Sequence, residues 1–275
     1  MESKSCNDGA FSRFLIICAF QFGTQRYIRQ MLNYPSHVVF VLKYCIKSTP
    51  FTTLAEANTM QFVINHTSIP VPKIYCAFEH AGRTYIVTER IVGQNLARGW
   101  LQRPEASKAR ILEQLKSVVT QLRGIEPPQD VGVANVNGGP IYDQRLPKKS
   151  KWGPFKTIQD FHKELRNGVE TEDLRDPLLV AGLSELISFH NKSWPTSVFT
   201  HGDLSSLNVL TRDDDIVGVI DWETAGWMPP YWEYTSAWNV NPQNRFWQEE
   251  VDKFLTPMPY ELEMEKIRRK YFGDF

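Results

Sequence analysis

The stretch that most constrains this chain runs from His201 to Trp222. It reads His201-Gly-Asp-Leu-Ser-Ser-Leu-Asn208, then two short apolar runs, then Ile220-Asp221-Trp222. The runs Val209–Thr211 and Val217–Ile220 are rich in β-branched residues and read as strands. Arg212-Asp-Asp-Asp215 between them is a polar hairpin turn. Such a hairpin folds Asp221 back onto Asn208, thirteen residues earlier, and onto Asp203, five before that. Two carboxylates and a carboxamide therefore meet at one end of a hairpin.

The elements around it point to an α+β chain. Val38-Val-Phe-Val-Leu-Lys43 is a continuous apolar run that reads as one buried strand ending in a lysine. Residues 53–65 read as a helix, opened by a Thr53-x-x-Glu56 capping box. Ile69-Pro-Val-Pro is an extended connector. Ile74–Glu79 and Thr84–Glu89 form a hairpin-like pair of strands. Glu105–Leu122 is a helix with Ile111, Leu112, Leu115, Val118, Val119 and Leu122 on one face, closed by Gly124. Residues 125–160 read as a loop-rich insertion that carries the basic stretch 145–151, taken as a solvated loop. Asp176-Pro177 opens a further helix, and the Trp- and Tyr-rich remainder reads as helices with loops. Strands thus cluster early and helices late.

At 275 residues the chain suits two domains, or one domain with two lobes. Hydrophobic residues at 42% and charged residues at 23% exclude wholesale disorder. Lys+Arg 31 balances Asp+Glu 31, so no global field favours nucleic acid or an anionic membrane, and neither is expected as a partner. Cys6, Cys18, Cys45 and Cys76 have no CxxC spacing and read as reduced thiols of a cytoplasmic protein. Phe14-Leu-Ile-Ile-Cys-Ala-Phe20 is too short to span a bilayer and lacks the flanks of a signal peptide. It reads as a core element or a poorly folded extension.

The spacing of His201, Asp203, Asn208 and Asp221 matches the catalytic loop of kinases, H-x-D-x-x-x-x-N followed by a metal-binding Asp. Phosphoryl transfer needs a base beside the acceptor hydroxyl and oxygen ligands for magnesium. With Gly202 after the histidine and Asp221-Trp222 in place of Asp-Phe-Gly, the chain resembles the aminoglycoside phosphotransferase and choline-kinase-like small-molecule kinases over roughly residues 38–275. Thr67-Ser-Ile-Pro-Val-Pro-Lys73, Tyr85-Ile-Val-Thr-Glu-Arg-Ile-Val-Gly93 and Ala225-Gly-Trp-Met-Pro-Pro-Tyr-Trp-Glu233 carry the same resemblance. It implies a bilobal protein-kinase-like fold. The N-lobe, residues 38–91, would be small and strand-rich, and the helical C-lobe, residues 92–275, would carry the catalytic loop 201–208. Residues 1–37 would be a divergent segment. It also implies an ATP- and Mg²⁺-dependent phosphotransferase with an alcohol as acceptor. Asp203 would be the catalytic base, and Asn208 and Asp221 the Mg²⁺ ligands. Lys43 would contact the α/β-phosphates and Glu56 would hold Lys43. The backbone of Thr88 and Arg90, in the hinge 88–91, would read adenine.

Several residues keep a plainer reading beside the functional one. Lys43 can reach solvent from a strand end, and the capping box alone accounts for Glu56. His201 is read as holding the loop backbone. The aromatic residues from Trp222 to Trp238 suit core packing or a substrate pocket. Glu223 and Glu233 suit a solvated face or a cationic substrate. Kinases cover the phosphates with a glycine-rich turn, yet no glycine lies between Gly23 and Gly82. The N-lobe therefore reads as incomplete or as preceded by an unrelated segment. A nucleotide-binding module without turnover, and a metal-dependent phosphoester hydrolase using His201, Asp203 and Asp221, are the rival functions.

Overall fold

The computed structural model describes residues 4–32, 37–147, 151–175, 177–239 and 245–273. Helices α1 (Ala10–Gly23) and α2 (Arg26–Leu32) come first. The hairpin β1 (Val38–Val41) and β2 (Tyr44–Lys47) follows, then α3 (Leu54–His66) and the hairpin β3 (Ile74–His80) and β4 (Arg83–Glu89). The four strands make one antiparallel sheet in the order β1-β2-β4-β3. The run 38–43 is therefore not one strand. Leu42 and Lys43 form a two-residue turn, with Val41 opposite Tyr44 and Leu42 at φ 52°. Turns of this size usually carry Asn or Gly. That missing signal makes the run look continuous.

Side chains alternate across the sheet. Val39, Ile46, Cys76, Phe78, Tyr85 and Val87 face outward and cluster with Phe20 of α1. The apolar run at 14–20 is thus a core element on one side: Ile16, Ile17 and Phe20 pack on the sheet. Gly23 permits this contact, since a Cβ there would stand 2.4 Å from Val39 Cγ1. The opposite face of the sheet, with Phe40, Cys45 and Lys47, lines a cleft.

Beyond the sheet the chain is mainly helical, with α4 (Glu105–Arg123), α5 (Ile158–Leu165), α6 (Pro177–Asn191), α7 (Trp232–Asn239), α8 (Arg245–Phe254) and α9 (Pro259–Phe272). Between them lie short strands: β5 (Gln94–Asn95), β6 (Ile141–Tyr142), β7 (Lys151–Trp152), β8 (Val198–Thr200), β9 (Val209–Arg212), β10 (Asp215–Val219) and β11 (Gly226–Met228). β9 and β10 form the expected hairpin, to which β5 adds a third strand. One core joins the two lobes: Ala57, Met60 and Val63 of α3 and the inner face of α4 pack with Phe199, Leu204, Val219 and Trp222. Trp222, Trp227, Tyr231, Trp232 and Tyr234 are all buried, so these aromatic residues build core. Asp176, the expected helix cap, lies outside the described residues. No described helix is long and apolar enough to cross a membrane.

Candidate active site

The cleft between the sheet and the β9–β10 hairpin has a volume of about 380 Å³. Val38, Phe40, Cys45 and Ile86 form one wall, and Leu210 and Ile220 the other. Lys47, Glu56 and Asp221 line it too and meet in one ion-pair cluster. Lys47 Nζ donates to Glu56 Oε1 at 2.9 Å, to Asp221 Oδ1 at 2.6 Å and to Glu223 Oε2 at 3.2 Å. Lys43 takes no part in this cluster. It sits exposed in the β1–β2 turn, with Nζ 5.6 Å from the Tyr44 ring. The ion pair expected between Lys43 and Glu56 is therefore made by Lys47. The physical reason is register: the turn at 42–43 lets β2 run back along the cleft and ends it at Lys47.

Glu56 is resolved as well. The Thr53 side chain makes no capping hydrogen bond, and Glu56 is buried, pointing inward to Lys47. Its Oε2 is buried without a hydrogen-bond partner. Burial pushes the Glu56 carboxyl up to about 7 against the pull of the Lys47 ammonium. Burial also pulls on Lys47, but the three carboxylates outweigh it and hold the lysine above its usual range. Glu223 is not on a solvated face: its side chain is largely buried, and Lys47 holds its Oε2.

The loop 201–208 is built around His201. The ring is fully buried. The Asp203 amide donates to its Nδ1 at 3.2 Å, and Nε2 faces the Ile220 carbonyl at 3.1 Å. His201 thus holds backbone on both sides. Glu233 is buried in α7, and its carboxylate accepts from the His201 and Gly202 amides at 2.6 and 3.1 Å. This internal tether replaces both readings of Glu233. Gly202 adopts φ 79°, and a Cβ there would lie 2.9 Å from the Thr224 carbonyl oxygen, so only glycine fits.

Asp203, Asn208 and Asp221 come together as the hairpin requires. Asn208 Nδ2 donates to the Asp203 carbonyl at 2.9 Å and to its Oδ2 at 3.0 Å. The Ile220 amide donates to the Asn208 carbonyl at 2.9 Å, which sets Asp221 beside the pair. Asp221 has φ 67°, a left-handed conformation that a short polar side chain tolerates. Burial raises the Asp203 carboxyl above the usual range against the pull of Arg145 and His201. Arg145 comes from the insertion. Its guanidinium grips Asp143 through two hydrogen bonds of 2.8 Å, donates to the Gly202 carbonyl at 2.6 Å and stands 3.8 Å from Asp203 Oδ1. At Arg145 the stretch 145–151 is therefore part of the site and not a solvated loop. Residues 148–150 lie outside the described chain.

Thr88, Glu89 and Ile91 border the cleft, and Arg90 does not. The Arg90 amide donates to the Lys43 carbonyl at 2.9 Å. That N–H is taken, which corrects the expectation that it would face a base. The Arg90 guanidinium lies over the Phe40 ring at 4.8 Å. No sequence signal marks Arg145. Lys47 did carry one: it is the last residue before the Ser48-Thr-Pro breaker cluster, next to the helix that supplies Glu56.

Residues 36–258 match the profile of the phosphotransferase enzyme family, APH. The chain belongs to this family. No curated protein matches it. Among solved structures, the chain is similar to a thermostable mutant of aminoglycoside phosphotransferase APH(4)-Ia in its apo form. The TM-score is 0.57 at 18% identity, over 86% of this chain and 78% of that one. It is similar to APH(2")-IIa in a ternary complex with streptomycin and ATP, with TM-score 0.54 and 14% identity over 88% of this chain and 86% of the other. It is also similar to APH(3'')-Id from Streptomyces rimosus, with TM-score 0.52 and 14% identity over 97% and 99%. The bilobal architecture of the chain is the protein-kinase-like one of these structures.

Proposed function

We propose that this phosphotransferase moves the γ-phosphoryl group of ATP to a hydroxyl of a small molecule, with Mg²⁺ held by Asn208 and Asp221. The observation that carries the reading is the convergence of Asp203, Asn208, Asp221 and the Lys47–Glu56 pair at one cleft. The residues fit the metal. Asn208 commits Nδ2 to Asp203, which leaves its carboxamide oxygen for a cation, and Asp221 adds a carboxylate. Both are hard oxygen donors of the kind Mg²⁺ takes. Held there, Mg²⁺ would neutralise the negative charge of the nucleotide phosphates.

The rest falls to the chain's own side chains. Lys47 pairs with the phosphates in place of Lys43, and Glu56 orients it. The backbone of residues 88–91 holds adenine, without the Arg90 amide. Asp203 orients the acceptor hydroxyl and takes its proton, and a carboxylate whose proton affinity is raised by burial suits that task. The four cysteines are free thiols, in keeping with a cytoplasmic enzyme. The related structures hold hygromycin B or streptomycin; for this chain the acceptor class is a small-molecule alcohol. The hydrolase reading loses its histidine, because both His201 nitrogens face backbone groups. The β1–β2 turn, Leu42-Lys43 without glycine, favours a module that binds nucleotide without turnover as the second reading.

Thermal stability with ATP, Mg²⁺ and both together tests this, on wild type and Asp221→Ala. A Mg²⁺-dependent nucleotide shift that Asp221→Ala abolishes is expected, together with ADP release on a panel of alcohols. A shift without ADP release supports the binding module. No shift at saturating nucleotide removes the kinase reading.

A further inference from the structure

The helices ahead of the sheet carry a surface that the phosphotransfer site does not use. Phe11, Phe14, Leu15, Cys18 and Phe22 of α1 recur at helical spacing and form one exposed stripe. Phe14 is 63% exposed and Phe22 60%, although the opposite side of the same helix packs on the sheet. α2 continues the surface with Tyr27 at 84% and Met31 at 73% exposure. No residue of α2 is buried. A seven-residue helix with no buried residue is marginal by itself. Exposed apolar patches of this kind mark sites where something docks.

Charge selects the occupant. The whole chain is neutral, yet no Asp or Glu occurs between Asp8 and Glu56. The same segment holds Arg13, Arg26, Arg29, Lys43 and Lys47. Arg13 is paired with Asp8, and Lys47 belongs to the cleft. Arg26 and Arg29 stand exposed on α2 beside Tyr27 and Met31. Phenylalanine and leucine side chains flanked by arginines, with no acidic residue among them, complement an anionic lipid surface: the rings enter the acyl boundary and the guanidiniums meet headgroup phosphates. A neutral chain that gathers cations alone beside an exposed apolar surface has the asymmetry that such a surface requires.

We infer that α1 and α2 dock this protein peripherally on an anionic membrane surface, lying on the bilayer without spanning it. The docking face is separate from Lys47 and the loop 201–208, so it can hold whether or not the phosphotransfer reading does.

Sedimentation of the full chain with vesicles tests it, using phosphatidylcholine with about 30 mol % phosphatidylserine, and phosphatidylcholine alone. Binding to the mixed vesicles, its loss at high salt and weak binding to the neutral ones are expected. Arg26→Glu with Arg29→Glu should weaken binding by at least about 25-fold, roughly fivefold for each arginine. Phe14→Ser with Phe22→Ser should abolish it while the melting temperature is retained. Equal binding to neutral vesicles, or no effect of the arginine pair, overturns the proposal. So does a stable dimer in solution that the phenylalanine pair turns into a monomer with no vesicle binding in either form, because the face would then belong to a second copy.

Discussion

At the residue scale the site turns on which lysine faces Glu56. Lys47 enters a cluster of three carboxylates, whereas Lys43 is exposed four residues earlier. Lys47→Met is expected to lower kcat/KM for ATP by about 10²–10³-fold, the usual loss when one stabilising donor is removed from a charged transition state. Lys43→Ala should stay within about twofold, as for exposed side chains in general. Steady-state kinetics of both variants decide the assignment, and equal losses would overturn it. Asp203→Asn should lower kcat by about 10²–10⁴-fold while the nucleotide-induced thermal shift persists. His201, Asp203, Asn208 and Asp221 were legible because their spacing lies within one hairpin. Lys43 takes the role of Lys47 in the sequence because a turn without Asn or Gly hides the end of β1. Arg145 was not legible: its contact with Gly202 spans fifty-seven residues, and no local pattern encodes such a contact.

At the element scale the loop 201–208 is tied to α7, and the sheet is tied to α1. Glu233 accepts from two consecutive loop amides in a buried position. Glu233→Ala would leave both donors unsatisfied and is expected to cost about 2–4 kcal/mol in urea unfolding. Loss of phosphotransfer should accompany it, since residues 201–203 would no longer be held. Gly23→Ala places a methyl group 2.4 Å from Val39 Cγ1, where neither backbone nor a branched side chain yields easily. A loss of about 1–3 kcal/mol is expected, as for overpacking of a close contact. Unchanged stability would mean that α1 does not lie on the sheet. The helix at 105–123 and the hairpins β3–β4 and β9–β10 are readable from periodicity, whereas β1–β2 is not. Glu233 was not, because an acidic residue in an aromatic stretch looks the same whether it meets water or backbone amides.

At the scale of the whole molecule, the second core of the C-lobe contains two buried histidines. His162 and His190 stack at 4.3 Å, and His162 Nε2 lies 2.9 Å from the Tyr231 hydroxyl. Burial drives His162 down to about 3 against the pull of the His190 carbonyl, and burial lowers His190 as well. The unfolded chain takes up these protons near pH 6.5, while the folded one does not. Stability from His162 is therefore complete above pH 6.5 and falls as pH drops toward 3. Between pH 7 and 5 the loss from His162 is about 2 kcal/mol. Chemical denaturation across this window measures it, and His162→Gln should flatten the slope. A slope unchanged by that substitution would count against a neutral buried imidazole.

The sequence by itself determined α3, α4, the hairpins β3–β4 and β9–β10, the α+β character, the family resemblance and the meeting of Asp203, Asn208 and Asp221. Those features rest on local propensity and on spacing within a single hairpin. Tertiary structure alone decided which lysine reaches Glu56, that Glu223 and Glu233 are internal partners, that Arg145 stands beside Asp203, and that one side of α1 stays uncovered. Each of these depends on where separate elements come to rest against one another. Burial and long-range pairing set that arrangement, and neither is written in the periodicity of any one segment.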